Sequence, residues 1–89
     1  MQQKTAHRQN STFPLALAQT GEKLVINGVQ SGKGLNRKLM EQGLRPGKLV
    51  TVMQKRSGGF ILATEGQRIA LGAGLAQKLY VSLPAQSEN

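Results

Sequence analysis

The sequence contains no cysteine and no tryptophan, and it has only one tyrosine and two phenylalanines among 89 residues. The absence of cysteine excludes disulfide bonds, thiolate metal ligands and a cysteine nucleophile, and it suits a reducing compartment. Because aromatic residues are so few, the core must be built mainly from leucine, valine, isoleucine and methionine. A chain of this length has room for one domain with one modest core.

Acidic residues are also scarce. Four Asp and Glu stand against 12 Lys and Arg, which gives a formal net charge of +8. Such a surplus favours acidic partners, namely nucleic acid, an anionic membrane surface or an acidic protein face. No apolar run approaches the roughly 20 residues that span a bilayer. The N-terminal segment also lacks the apolar stretch of a signal peptide, so we expect a cytoplasmic protein.

Candidate catalytic and metal-binding residues are few and scattered. The single histidine is His7, and the four carboxylates are those of Glu22, Glu41, Glu65 and Glu88. Acid–base and nucleophilic catalysis need side chains that are positioned together, and no spacing here pairs them. We therefore predict no catalytic residues, no cofactor and no resident metal site. A weak or intermolecular metal site that uses His7 with Glu22 or Glu65 remains an alternative.

Large apolar residues begin only after residue 12. We therefore predict a disordered tail over residues 1–12, a single domain over 13–84 and a second disordered tail over 85–89. Pro14 is expected to start a first turn or short helix over residues 15–18.

Within the domain, the pattern changes from one strand to one helix and then to several strands. Lys23–Val29 reads as a strand, and residues 35–42 fit a short amphipathic helix. Gly43 is expected to form the left-handed C-terminal cap of this helix, and Leu44 is expected to fold back onto Leu39 or Met40. Further strands are predicted over 49–54, 60–64, 67–71 and 78–83, with a loop or single helical turn opened by residues 72–74. These features predict an all-β fold, a small β-barrel of about five short strands with one short inserted α-helix.

A reversal of the chain is predicted directly after the helix. Arg45-Pro46-Gly47-Lys48 has proline and glycine at the two central positions of a type II turn. This turn belongs to the most specific of three stretches that together resemble the ferrous iron transport protein A (FeoA) family. The stretches are 14–21, then 39–47 followed by Val50 and Val52, and finally 69–71 followed by Ala76 and residues 79–81.

The resemblance implies an SH3-like barrel that works beside FeoB, the membrane ferrous-iron transporter with a cytoplasmic GTP-binding domain. The same domain type is similar to the C-terminal module of diphtheria-toxin-repressor-like metalloregulators. The resemblance thus implies a small cytoplasmic accessory protein of ferrous iron uptake that acts as a protein-binding module rather than as an enzyme.

Partner contact is predicted where basic residues cluster around the helix and the Pro–Gly turn. The candidate residues are Arg37, Lys38, Leu44, Arg45 and Lys48, and an apolar groove lined by Leu44, Met53 or Tyr80 is a further expectation. Peripheral membrane association through the same charges is compatible with this function.

Two other functions remain open at this point. One is a basic small-barrel nucleic-acid-binding protein, which is disfavoured because only Phe60 and Tyr80 within the strands are available to stack on bases. The other is a metalloregulator-like domain with weak transition metal binding.

Overall fold

The computed structural model describes residues 11–29 and 33–84. They form one antiparallel six-stranded sheet, in the order β1-β6-β2-β3-β4-β5, together with short helices. The strands are β1 (Thr12–Pro14), β2 (Lys23–Val29), β3 (Leu49–Arg56), β4 (Gly59–Thr64), β5 (Gln67–Gly72) and β6 (Leu79–Ser82). The α-helices are α1 (Lys33–Glu41) and α2 (Ala73–Lys78), and a 3-10 helix covers Leu15–Leu17. The predicted all-β, barrel-like class with a helix after a strand is confirmed.

Alternation along the strands builds the core. Along the central parts of β2 to β6, buried residues alternate with more exposed ones, so one side of the sheet encloses a single apolar interior. The buried apolar residues of the strands are Leu24, Ile26, Val50, Val52, Phe60, Leu62, Ile69, Leu71, Leu79 and Val81. Only one of them is aromatic, as the composition predicted. Each fully buried aliphatic side chain contributes about 1.5–3 kcal/mol relative to an exposed one.

The end of α1 shows the predicted glycine cap in full. The amide of Leu44 donates to the carbonyl of Leu39 at 2.8 Å, and the amide of Gly43 donates to the carbonyl of Met40 at 3.0 Å. Gly43 has a φ of 92°, the left-handed conformation that this Schellman arrangement requires. Leu39 and Leu44 are each 1% exposed and belong to the same core cluster. The prediction that Leu44 folds back onto the helix is therefore confirmed.

The predicted type II turn is also present, and it is fastened to the sheet. The amide of Lys48 donates to the carbonyl of Arg45 at 3.0 Å, and Gly47 has a φ of 92°. The amide of Gly47 donates to the carbonyl of Ile26 at 2.8 Å, and the amide of Ile26 donates to the carbonyl of Lys48 at 2.9 Å. These two bonds hold the turn against β2 and fix where α1 ends relative to the sheet.

Two elements were missed by the sequence analysis. Strand β1 pairs Thr12, which was assigned to the tail, with Ser82, so there are six strands rather than about five. A three-residue strand is too short to show a period, and only its partner β6 defines it. The predicted loop or single turn after Gly72 is a six-residue helix, Ala73–Lys78, so β6 begins at Leu79. Residues 1–10 and 85–89 of the predicted tails lie outside the described residues.

Candidate partner-binding surface

Leu44 does not belong to any exposed surface. Its side chain is 1% exposed because the Schellman cap turns the residue after the glycine back onto the helix. The prediction that Leu44 is exposed for partner contact is therefore wrong. Of the other apolar candidates, Met53 is 37% exposed and Tyr80 is half-buried on β6. Phe60 is 5% exposed, so it does not offer the free face that base stacking requires.

Lys48 is engaged inside the molecule. Its Nζ lies 2.9 Å from Oε2 of Glu65, and only 21% of the lysine side chain is exposed. The hydrogen bond from Lys48, together with its charge, lowers the pKa of the Glu65 carboxyl; desolvation opposes this shift, and the charge of Arg45 adds to it. The Lys48 charge is thus largely compensated by Glu65, which makes Lys48 a poor candidate for binding an acidic partner.

The remaining basic candidates divide between two positions. Lys38 and Arg45 are both exposed, and each lines one of two adjacent grooves. The grooves lie on either side of the C-terminal end of α1, and both reach β5. Arg37 is exposed on α1, but it lines neither groove in the described part of the chain. Lys38 and Arg45 thus each border one of the grooves that reach β5, and Arg37 borders neither.

The first groove lies between α1, β5 and α2. Leu35, Leu71 and Leu75 line it with apolar surface, and Lys38 and Lys78 contribute charge. On the side formed by β5, the groove is lined by Ala70 and Gly72, which are small and exposed to solvent.

The second groove lies between the end of α1 and the start of β5. Met40, Arg45, Arg68 and Ala70 are among the residues that line it. Met40 is 49% exposed. Ala70 also lines the first groove, so the outer side of β5 connects the two grooves into one surface.

The sequence analysis missed Arg68, Ala70 and Lys78. The alternation around Ile69 and Leu71 already placed Arg68 and Ala70 on the outward face of a strand. What the alternation does not show is that this strand lies at the edge of the sheet, because strand order depends on long-range pairing. That Arg68, Ala70 and Lys78 border the two grooves could be recognised only from the three-dimensional fold.

Metal-ligating side chains are not gathered anywhere in residues 11–29 and 33–84. No group of three or more His, Cys, Asp or Glu forms a potential metal site there. Glu65 is paired with Lys48, and the Glu22 carboxylate accepts a hydrogen bond from the amide of Gln19 at 2.8 Å. His7, the third residue of the alternative site, lies outside the described residues. No helix in the same part of the chain is long and apolar enough to cross a membrane.

Comparisons with known proteins agree over most of the chain. The sequence model of the FeoA domain matches residues 13–83. A protein of Methanocaldococcus jannaschii with the provisional name Fe(2+) transport protein A is 35% identical over 69 residues, which cover 78% of this chain and 84% of the relative.

Solved structures show the same fold. The crystal structure of an iron uptake regulatory protein (FeoA) is 30% identical, with a TM-score of 0.73 over 81% of this chain and 97% of the other. A FeoA-like protein from Clostridium acetobutylicum is 17% identical, with a TM-score of 0.73 over 90% of this chain and 95% of the other, which supports the SH3-like fold alone.

A metal-bound regulator contains a similar domain. ScaR with bound Zn²⁺ is 26% identical, with a TM-score of 0.70 over 81% of this chain but only 37% of the regulator. The likeness is thus to one part of a longer protein. Because the FeoA domain model spans residues 13–83 and a 35% identical relative covers most of the same segment, the chain belongs to the FeoA family.

Proposed function

We propose that this protein is a cytoplasmic accessory protein of ferrous iron uptake, and that it acts by binding the cytoplasmic GTP-binding part of the FeoB iron permease. The observation that carries the proposal is the family match, which covers residues 13–83 and so nearly the whole barrel. The name of the Methanocaldococcus jannaschii relative supports a role in Fe(2+) transport. The proposal assigns no catalytic step to the chain.

The charge of the molecule supports a binding role. The net charge is +8, and exposed Lys38 and Arg45 lie on a concave surface that also contains apolar side chains. Charged groups around an apolar centre are typical of protein interfaces, where they increase the association rate and select partners of opposite charge. This surface is the candidate contact with an acidic face of the permease.

The proposal is tested by direct binding. The purified full-length chain is immobilised, and the cytoplasmic GTP-binding domain of the permease from the same source is passed over it without nucleotide, with GDP and with a GTP analogue. Full-length permease in lipid nanodiscs is measured in parallel, at about 150 mM salt, so that exposed charges are screened as they are in cells. We expect saturable binding in at least one nucleotide state.

Charge-reversal variants separate a specific contact from general attraction to a basic protein. We expect Lys38→Glu and Arg45→Glu each to weaken binding by about five- to tenfold, since each introduces a like charge at the contact. Lys23→Glu is the matched control, because Lys23 is exposed on β2 and lies three strands from β5 in the sheet order. Absence of binding to both the domain and the permease in every nucleotide state would refute the proposal.

A further inference from the structure

Strand β5 has one partner among the described strands. The sheet order ends at β5, which pairs with β4 from Gly59↔Gly72 to Thr64↔Gln67. Edge strands present a row of main-chain groups that are able to pair with another chain, and natural proteins usually protect them. The sheet ends at β1 and β5, and β5, with six residues against three in β1, is the longer edge at which a further strand is able to pair.

The hairpin between β4 and β5 determines which amides face that outer side. Glu65 and Gly66 form a two-residue loop with φ values of 47° and 81°, as in a type I′ turn. In such a hairpin the residues that flank the loop, Thr64 and Gln67, exchange main-chain hydrogen bonds, and the pattern then alternates. The N–H and C=O of Ala70 consequently point away from β4.

No interaction within residues 11–29 and 33–84 occupies these groups. The main-chain hydrogen bonds outside regular elements, and those from side chains, do not involve Arg68 or Ala70. Arg68 and Ala70 are both exposed. The residues beside this edge are small, namely Ala70, Gly72 and Gly74. A Cβ added at Gly72 or Gly74 would meet no atom within 4 Å. An approaching chain thus meets unpaired main-chain groups beside residues with small side chains.

Charge beside this edge selects the kind of chain that fits. The two grooves along β5 are lined by Lys38, Arg45, Arg68 and Lys78, against the single carboxylate of Glu41. A second copy of this protein would bring the same cations face to face, which disfavours self-pairing. An extended segment that carries carboxylates would meet opposite charges along its whole length.

Apolar surface in the first groove adds a second requirement. Leu35, Leu71 and Leu75 line the side of the groove between α1 and α2, and Leu35 and Leu75 are half-buried. Successive side chains of an added strand point to opposite sides. A segment in which acidic and apolar residues alternate therefore satisfies both the cations and the leucines.

We propose that the open edge of β5 binds an extended acidic segment of the partner protein as an added β-strand, with its main chain paired to Ala70 and its carboxylates beside Lys38, Arg68 and Lys78. The proposal rests on the proposed function, for which it names the docking edge and the chemistry of the segment that docks. Main-chain pairing of this kind supplies affinity, while side-chain positions supply specificity.

The first experiment uses a short synthetic peptide in which glutamate and valine alternate, with both ends blocked. It is titrated into the full-length chain while two-dimensional amide NMR spectra are recorded, and a lysine–valine peptide of equal length serves as the charge control. We expect the amide signals of Arg68, Ala70 and Gly72 to shift with the acidic peptide and to stay unchanged with the basic one. Shifts confined to other strands, or equal shifts with both peptides, would overturn the proposal.

A main-chain variant tests strand pairing itself. Ala70→Pro removes the outward N–H but leaves the bonds from Gln67, Ile69 and Leu71 to β4, and proline is tolerated at edge positions of this kind. We expect it to weaken acidic-peptide binding by about tenfold, the effect of losing about 1.4 kcal/mol. The control Ala70→Ser keeps the N–H and should bind within about twofold of the original chain. Equal affinities for the proline and serine variants would rule out strand addition.

If Ala70→Pro does not fold, as its amide spectrum will show, charge variants test the same edge. Lys78→Glu should weaken acidic-peptide binding by about three- to fivefold, whereas Lys23→Glu should leave it unchanged. Equal effects of the two variants would overturn the assignment to β5.

The permease measurement keeps the two proposals distinguishable. If the original chain and the Ala70→Pro variant bind the permease domain equally, the β5 edge is not the docking site and the proposed function stands. If the original chain does not bind the permease at all, the proposed function fails, while the peptide titration still decides whether the edge binds acidic strands.

Discussion

The carboxylate of Glu65 lies 2.9 Å from the Nζ of Lys48 and joins the β4–β5 hairpin loop to the Pro–Gly turn before β3. The first loop closes the β4–β5 hairpin and the second connects α1 to β3, so the ion pair fastens the base of β5 to the segment that follows α1. Arg45, whose charge also lowers the Glu65 pKa, lies in the same turn. Arg45 and Gln67 line the second groove, so the ion pair joins the two segments from which these residues come.

A pH dependence follows from this pair. Because the folded-state pKa of Glu65 is lowered, its contribution to stability is present above the ordinary glutamate pKa and is lost as the pH falls through the lowered pKa. Glu65→Gln should lower the melting temperature slightly at about pH 7, and the difference should shrink as the pH falls below the ordinary glutamate pKa and through the lowered one. The effect is small because the carboxylate is 70% exposed. Thermal unfolding followed by circular dichroism across this range checks the prediction.

A control for this pair is available on α1. Glu41→Gln removes an exposed carboxylate from the end of the helix and leaves the Lys48–Glu65 contact intact. If the two variants showed the same pH profile, the loss would reflect overall charge rather than the ion pair, and the assigned cause would be wrong.

Gly59 is the glycine at which a side chain would do most damage. A Cβ at this position would lie 2.2 Å from the carbonyl oxygen of Leu71. The φ of Gly59 is 153°, which falls in the region that residues other than glycine rarely adopt. We expect Gly59→Ala to lower the free energy of unfolding by about 2–4 kcal/mol, since strain adds to a clash with main chain. Urea denaturation, with the slope compared between variants, measures the change.

The neighbouring glycine provides the matched control. A Cβ at Gly58 would meet no atom within 4 Å, so Gly58→Ala should change stability by no more than about 0.5 kcal/mol. Similar losses for both substitutions would show that the loop responds to reduced flexibility and not to the contact with Leu71.

Leu44 shows why a surface assignment from sequence went wrong at one position. The pattern Gly43-Leu44-Arg45-Pro46-Gly47 predicted both the helix cap and the turn, and both are present. The cap by itself implied that Leu44 folds inward, yet Leu44 was also expected to line an exposed apolar groove for partner contact. Local hydrogen bonding decided the outcome, because the amide of Leu44 must reach the carbonyl of Leu39.

The burial of Leu44 gives a third prediction. Leu44→Ala should lower the free energy of unfolding by about 2–5 kcal/mol, because it removes packed atoms and leaves a cavity in the core. Met40→Ala removes a side chain that is 49% exposed and should cost less than about 1 kcal/mol. The comparison is made by urea denaturation, and equal losses at the two positions would contradict the burial of Leu44.

The candidate surface around β5 was less accessible to sequence analysis than the fold. Turns and alternation depend on neighbours a few residues apart, so Gly43, Gly47 and the inward positions of the strands could be predicted. The edge position of β5, and the approach of Lys38 to Ala70, depend on contacts between segments that lie far apart in the chain. No local pattern reports these contacts.

Asn36 fastens α1 to the sheet and gives the last prediction. Its Oδ1 accepts a hydrogen bond from the amide of Val29 at 3.3 Å, and its Nδ2 donates to the carbonyl of the same residue at 3.4 Å. Asn36→Ala should lower the free energy of unfolding by about 1 kcal/mol, because the loss of two bonds is partly offset by the better helix propensity of alanine. Because Lys38 lies on the same helix, the variant should also weaken acidic-peptide binding. Arg37→Ala, at the adjacent exposed position, is the control and should change neither quantity appreciably. A fully stable Asn36→Ala variant with unchanged peptide affinity would mean that packing of Leu39, rather than this amide, holds α1 in place.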